Sequence, residues 1–417
     1  MLSCEGQARL GHEVHLAFGP IYGPEGSLLD RVAAFRTASG AEITTHVVPN
    51  MVRQIDPRRD WLALGELKAL IARLKPDIVH THSSKAGIVG RAAAWAVMQN
   101  SPARRPAVIH TIHGPPFMPA DGGLVARLKT RIINHGYTLA ERFAAERAHL
   151  TVSVADAMTT QFLHRGIGRA EQYVTVRSGM ETAPYLHAAA GESAAEIRTR
   201  LGIANHAFVI GTVARLAQHK GHDDLLDALA DELRHRPDWC LLWVGDGWCR
   251  ERLVARARGM GLSVTELDRE PATASPPSPR QIVITGLVPP ERIPGLMRAM
   301  SVLAHPSSRE GLPRTVPQAL LCGTPVVAYD ADGTREACLD PAIVGAERAT
   351  GRLVTVGDRA GLHEAVMWMA THRDQAAAMA ARGRAMCERA FSAEEMVQGL
   401  ERVYARALAT CDVGTPR

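Results

Sequence analysis

Short runs of apolar, β-branched residues recur along this chain with helical stretches between them, and that alternation limits the fold more than any other feature. The early runs lie at 14–18, 43–48, 77–80, 107–111, 150–154 and 173–176. The later ones lie at 208–213, 241–244, 282–285, 302–305 and 326–329. Helical stretches intervene, among them 61–74, 124–148, 223–236, 295–300 and 315–321. Strand–helix alternation at this spacing predicts parallel sheets covered by helices. The runs are apolar throughout rather than alternating, as burial on both faces requires. The pattern then restarts. Arg177-Ser178-Gly179-Met180 breaks it, and a fresh strand opens at 208. The expected organisation is α/β, with two doubly wound domains at 1–178 and 179–391 and a last helix plus tail at 392–417.

Composition bounds the partners. A chain of 417 residues that is 46% hydrophobic can bury two large cores, and 22% charged residues is too few for a disordered chain. Aromatics at 5% and a net charge of +5 argue against nucleic acid, though the mild positive excess suits anionic small molecules or a membrane surface. Seven cysteines are scattered without a Cys-x-x-Cys pair, which argues against a zinc ribbon or a disulfide framework. A reducing, cytoplasmic setting is the expectation. No apolar run approaches ~18 residues, and the opening Met1-Leu2-Ser3 does not begin a signal-peptide pattern. The proline-containing stretch 266–281 reads as a surface loop.

Three stretches carry chemistry. The first runs from Ser307 to Val327 and reads as strand end, turn, helix, Gly stop and strand. It places Gly311, Leu312 and Pro313 before a helix start, where unpaired N–H groups and the helix dipole favour an anion. Glu310 stands just before that seat, and Gln318 lies about two turns down the helix. An ordinary βα turn with a surface Glu remains open. The second stretch carries Arg215 and Lys220 in the loop after the strand 208–213. Ligands of open α/β sheets bind at that end of a strand, and two cations there suit a diphosphate. Two solvated loop cations are the plainer alternative. The third holds His80, His82, Ser83 and Lys85, with His110 and His113 after the next strand. The four histidines could form a zinc site, but no carboxylate or cysteine completes the set, so no metal is expected. Buried, hydrogen-bonded histidines are the bland reading of His80 and His110, while His113, beside Gly114 and Pro115, suits a polar contact with ligand.

Taken together these stretches resemble the GT-B-fold retaining glycosyltransferases of family 4. The similarity rests on Thr-His-Ser-Ser-Lys-Ala-Gly at 81–87, His-Thr-Ile-His-Gly-Pro-Pro-Phe at 110–117, Arg-x4-Lys-Gly at 215–221, Val-Gly-Asp-Gly at 244–247 and Glu-Gly-Leu-Pro-Arg at 310–314. It spans nearly the whole chain and points to the branch that builds bacterial surface polysaccharides and lipid-linked glycans. The resemblance implies two Rossmann-like domains facing across a cleft, with the C-terminal helix returning to the first. It implies that Arg215 and Lys220 neutralise the donor diphosphate and that Glu310 holds donor-sugar hydroxyls. Gly311, Leu312 and Pro313 would bring backbone to sugar and phosphate, and Gly245 and Gly286 would line the base and its neighbouring loop. Gln318 stands where the family has a ribose-binding acid, so an amide replaces a charge. His113 matches the family's catalytic first-domain histidine near the sugar and the reacting centre, and with Ser83 and Lys85 it falls on the acceptor side.

The implied reaction is metal-independent, needs no cofactor, and moves a sugar from a nucleotide diphosphate sugar, UDP-linked by the family's preference, to a lipid-linked or glycan acceptor. The helix around Arg127, Lys129, Arg131, Arg142 and Arg147, with Leu124, Leu128, Ile132 and Leu139, would either lie on an anionic membrane or be a packed helix with a solvated basic face. The first places the protein peripherally on the inner face of the plasma membrane. Family members also open with a strand and a glycine-rich turn that the stretch 5–16 lacks, so the expectation is a misassigned start and a longer native chain. Two other functions stay open. A nucleotide-sugar epimerase on the same fold would release nucleotide without glycosylated product, and a catalytically silent subunit of a polysaccharide assembly complex would bind no nucleotide.

Overall fold

The computed structural model describes residues 1–20, 27–100, 105–117, 123–269 and 280–411. The chain forms two compact units, Met1–Met180 with Ala393–Arg417, and Glu181–Ser392. Among the described residues no helix is long and apolar enough to cross a membrane.

In the first unit, β3 (Ile78–His82), β4 (Ala107–Ile112), β5 (Leu150–Ser153) and β6 (Tyr173–Thr175) form a parallel sheet in that order. Side chains alternate across β4 as strand geometry demands. Ala107 and Ile109 join Leu150 and Val152 beneath Leu400, Val403, Tyr404 and Ala407 of the helix Ala393–Cys411. Val108 points the other way, against Ile71, Ala93, Ala94 and Met98 of the helices Pro57–Leu74 and Ser84–Asn100. The last helix of the chain is thus one of the two covers a parallel sheet requires. The remaining strands, β1 (Val14–Phe18) and β2 (Ile43–Val47), pair in parallel as a separate two-stranded sheet, so this unit's ladder is interrupted among the described residues. The helix Leu2–Arg9 lies against the last helix, where Gln7 Nε2 donates to the Tyr404 hydroxyl at 2.6 Å.

One ion pair inside this unit is fully enclosed. Arg91 and Glu141, each 1% exposed, meet at 2.7 Å between the helices Ser84–Asn100 and Leu124–Ala145. The guanidinium also donates to the Gly87 carbonyl at 2.9 Å.

The second unit is a seven-stranded parallel sheet in the order β13-β12-β11-β7-β8-β10-β9. Its strands are β7 (Phe208–Val213), β8 (Trp239–Val244), β9 (Val264–Glu266), β10 (Ile282–Ile284), β11 (Val302–His305), β12 (Val326–Tyr329) and β13 (Arg352–Val354). The chain leaves β7 in one direction through β8 to β10, then crosses back and leaves β11 in the other. Between β7 and β11 the winding therefore reverses, which opens a crevice at their carboxyl ends. The strands flanking it are almost wholly buried. Two strands are absent from the sequence reading, β9 and β13. Each is three residues long at a sheet edge, too short for an apolar pattern to register. Glu266 accordingly ends a strand rather than opening a loop, and Pro271, Pro276, Pro277 and Pro279 of that loop lie outside the described residues.

Breaking the enclosed pair strands a charge. Glu141→Ala is expected to cost the first unit about 3–5 kcal/mol. The double change Arg91→Met with Glu141→Leu should recover most of that. Urea unfolding followed by circular dichroism measures both.

Candidate active site

Two loops meet at the switch point of the second unit. One follows β7 and runs into the helix His222–His235, and the other follows β11 and runs into the helix Thr315–Leu321. Their backbones are laced together. Ser308 N donates to the His219 carbonyl at 2.9 Å, and the hydroxyls of Ser307 and Ser308 reach the same oxygen at 3.3 Å. Gly221 sits at φ +73°, and a Cβ there would lie 2.1 Å from the Pro306 carbonyl oxygen. No other residue fits that approach.

This lacing sets the charges. Lys220 Nζ donates to Glu310 Oε1 at 2.5 Å, with the side chains 19% and 13% exposed. His305, the last residue of β11, reaches the same oxygen with Nε2 at 3.1 Å, and its Nδ1 lies 3.2 Å from the Thr315 hydroxyl. Burial works to raise the Glu310 carboxyl, but hydrogen bonding to His305 and the charge of Lys220 outweigh it, and the group is pulled down to about 2. Its backbone is fixed too. Glu310 N donates to Asp332 Oδ2 at 2.8 Å, and Gly333 N donates to the Gly311 carbonyl at 3.1 Å. Asp332 holds φ +47°, a strained position for a residue with a side chain.

Arg215 is exposed, its guanidinium 5.5 Å from the centre of the Trp248 ring. Its loop is tied to the loop after β8. Leu216 N donates to the Asp246 carbonyl at 3.0 Å, and Gly245, at φ +140°, would place a Cβ 2.2 Å from the Ala214 carbonyl oxygen. Gly245 also bridges Gly286 in the loop after β10. Behind them the buried Arg250 donates to both Asp268 oxygens, at 2.7 and 2.5 Å, and to Glu266 at 3.0 Å. His219 senses the whole cluster: burial lowers it first, then the charge of Lys220, with Arg309 and Arg215 adding and Glu310 opposing.

Of the residues singled out in the sequence, the structure joins Lys220 to Glu310 directly. Arg215, Gly245 and Gly286 connect through the interlocked loops. Gly311, Leu312 and Pro313 form a buried turn before the helix Thr315–Leu321, and Gln318 lies half-buried on that helix. In the first unit Ser83, at φ +62°, precedes the helix Ser84–Asn100 and accepts the Gly87 N–H at 2.9 Å. Lys85 is tied to Asp60 and to the Gln54 carbonyl. His113 Nε2 pairs with His82 Nδ1 at 3.0 Å. The other two histidines have different partners. His80 bonds Tyr404 and Thr111 at 2.8 and 2.7 Å, and the buried His110 bonds Thr81 at 3.0 Å. Among the described residues no group of three His, Cys, Asp or Glu is placed to hold a metal ion.

Several members of the cluster escape sequence reading. Asp332 meets Glu310 from a distance in sequence, and His305, five residues before it, has no pattern of its own. The Arg250–Asp268 pair spans eighteen residues and joins only when β9 and β10 align. Trp248 follows the Val-Gly-Asp-Gly turn, and its position there was the one available signal.

Two Rossmann-like parallel sheets, with a charged loop cluster at the second sheet's switch point, define the GT-B class of glycosyltransferase folds. The chain matches Glycosyltransferase Family 4 over residues 3–183 and Glycosyl transferases group 1 over residues 207–372, and it belongs to that glycosyltransferase family. It is 28% identical over 290 residues to a 2-deoxystreptamine N-acetyl-D-glucosaminyltransferase of Streptomyces fradiae, covering 66% of this chain and 60% of that protein. It is 26% identical over 295 residues to a UDP-Gal:alpha-D-GlcNAc-diphosphoundecaprenol alpha-1,3-galactosyltransferase of Escherichia coli, covering 69% of this chain and 66% of that protein. The matched part thus spans less than two thirds of the length of these relatives. The crystal structure of Anabaena Alr3699/HepE in complex with UDP-glucose superposes with a TM-score of 0.69 at 21% identity, over 97% of this chain and 94% of that one, a likeness of fold.

The Glu310 environment yields a pH test. A carboxyl held at about 2, against an ordinary 4.5, adds stability that is fully present above 4.5 and is lost as pH falls through 2. The stability difference between wild type and Glu310→Gln should therefore be constant above pH 5 and shrink toward zero on acidification. Urea unfolding at stepped pH measures it.

Proposed function

We propose that this chain is a glycosyltransferase that moves a sugar from a nucleotide diphosphate sugar to an acceptor. The observation that carries the reading is the Lys220–Glu310 pair at the reversal between β7 and β11, with Arg215 in the adjoining loop. Breaking the sugar–phosphate bond leaves negative charge on the diphosphate. Lys220 and Arg215 would stabilise it, Arg with a planar fork and Lys as a point charge. That role needs no divalent cation, so activity should persist in chelator. Glu310 stays ionised and hydrogen-bonded across the working pH range, which suits orienting sugar hydroxyls rather than taking a proton. We assign the backbone of Gly311, Leu312 and Pro313 to sugar and phosphate, and Gly245 and Gly286 to the base side. Gln318 is assigned to the ribose, with an amide in place of a carboxylate. His113 is assigned to the reacting centre, and with Ser83 and Lys85 to the acceptor side.

The finer reading is retention of anomeric configuration, a UDP-linked donor and a lipid-linked or glycan acceptor in cell-envelope synthesis. It is supported by the family, by the UDP-galactose and diphosphoundecaprenol named for the Escherichia coli relative, and by the UDP-glucose named for the Anabaena structure. A silent subunit is the second reading, favoured by the amide at Gln318 where the resembling family has an acid.

A thermal-shift series with UDP- and GDP-sugars separates them. Donor at 100 times its Kd should stabilise the fold by about 2.7 kcal/mol. No shift with any nucleotide selects the silent subunit. Arg215→Ala and Lys220→Ala should each lower kcat by ~100-fold or more, as expected for loss of one transition-state contact. Near-normal turnover in both would refute the diphosphate assignment.

A further inference from the structure

The helix Leu124–Ala145 is fully buried only toward its C-terminal end. Its buried residues, Thr138, Glu141, Ala144 and Ala145, all lie in the last two turns or so, on the face that carries the Arg91–Glu141 pair. From Leu124 to Tyr137 no residue is buried. Thr130, Asn134 and Tyr137 continue the inward face half-buried, so the first half is loosely covered on that side and open on the other.

What that half presents is apolar. Leu124, Leu128, Ile132, Leu139 and Phe143 recur at intervals of about four or seven residues, which keeps them on one face, with Val125 beside them. This face lies opposite the buried one. Leu124 is 85% exposed and Ile132 is 65% exposed. Isolated apolar side chains on a surface are ordinary, but one face that repeats large apolar side chains over five turns, broken on it by His135 and by Arg142 at its edge, is not. The flanks are cationic. Lys129 borders one side of the stripe, and Arg127 and Arg131 border the other. No acidic residue occurs from 124 to 140, and among the described residues no carboxylate pairs with those three cations. The first acid on the stripe side is Glu146, at the C-cap, beside Arg147.

We propose that this stripe docks on the surface of an anionic lipid bilayer, with the helix lying in the interface plane. An apolar stripe bordered on both sides by cations matches acyl chains beneath a layer of negatively charged headgroups. A protein partner or a second copy of this chain would leave the cations without a stated counter-charge. The inference goes beyond the donor chemistry and does not depend on it, since no nucleotide enters the test.

The test is sedimentation of the full chain with vesicles of equimolar phosphatidylglycerol and phosphatidylcholine, and with phosphatidylcholine alone. Wild type should bind the anionic vesicles at least about ten-fold more strongly, with the advantage shrinking at high salt. Leu128→Ser combined with Ile132→Ser should weaken binding to the anionic vesicles by about ten-fold or more. Arg127→Gln, Lys129→Gln and Arg131→Gln together should erase the difference between the two compositions. Both variants should keep wild-type helix content and melting temperature, because the substituted side chains are exposed. Wild type remaining in the supernatant with anionic vesicles overturns the proposal, as does a stripe variant that sediments like wild type. A stripe variant that converts a dimer to a monomer, with neither form binding vesicles, overturns it in favour of an interface between copies.

Discussion

The close approach of two backbone loops at the reversal between β7 and β11 is the constraint on which the second unit's chemistry rests. A doubly wound sheet opens a crevice wherever its winding changes direction. The crevice alone places no side chain. Here it is narrowed by Gly221, whose missing Cβ lets the Pro306 carbonyl come within a distance that any other residue would forbid. That contact brings the end of one loop onto the start of the other, and Lys220 and Glu310 are neighbours because of it. Gly245 repeats the device one strand over against Ala214. Two glycines thus do for the loops what hydrogen-bonded ladders do for the strands.

The electrostatics follow from that geometry. A carboxylate with little exposure would ordinarily become neutral. Glu310 does not, because a histidine from the end of β11 and a lysine from the end of the β7 loop converge on one of its oxygens. The cost of desolvating three polar groups is offset only while all three stay in register, which makes the cluster sensitive to the backbone rather than to any one charge. Asp332 addresses that weakness. It accepts the Glu310 N–H from a left-handed conformation, so strain in one loop fixes the main chain of another. A site built this way is preorganised before any ligand arrives, which is what stabilisation of a developing charge demands.

The sheets were legible in the sequence where strands are buried on both faces, because such strands are continuous apolar runs and β7, β8, β11 and β12 are of that kind. The same signal fails at the edges. β9 carries a Thr and a Glu in three residues and β13 opens with Arg352, so neither stands out. The Glu310–Gln318 spacing and the Arg-x4-Lys pair were readable because each lies within one continuous stretch of sequence. Asp332, Arg250 and Asp268 were not, since their meaning depends on which strand ends are adjacent, and His305, though only five residues before Glu310, belongs to no pattern. The interrupted ladder of the first unit belongs to the same class of facts. Whether two strands share a sheet is decided by pairing, which periodicity does not encode.

The helix Leu124–Ala145 shows the limit from the other side. A periodicity near 3.6 says that a helix has an apolar face and is silent on what that face meets. In the helix His222–His235 the apolar residues Leu225, Leu226, Leu229 and Leu233 are buried in the core of their unit, the usual outcome. In Leu124–Ala145 the buried residues are a Thr, a Glu and two Ala, and the large aliphatic side chains face solvent. The inversion has a structural cause. Glu141 must meet Arg91, and small residues must flank that pair for the helices to come close, so the face carrying them turns inward and the stripe turns out. The enclosed ion pair therefore fixes the rotation of the helix about its own axis, and with it which chemistry the protein shows to its surroundings.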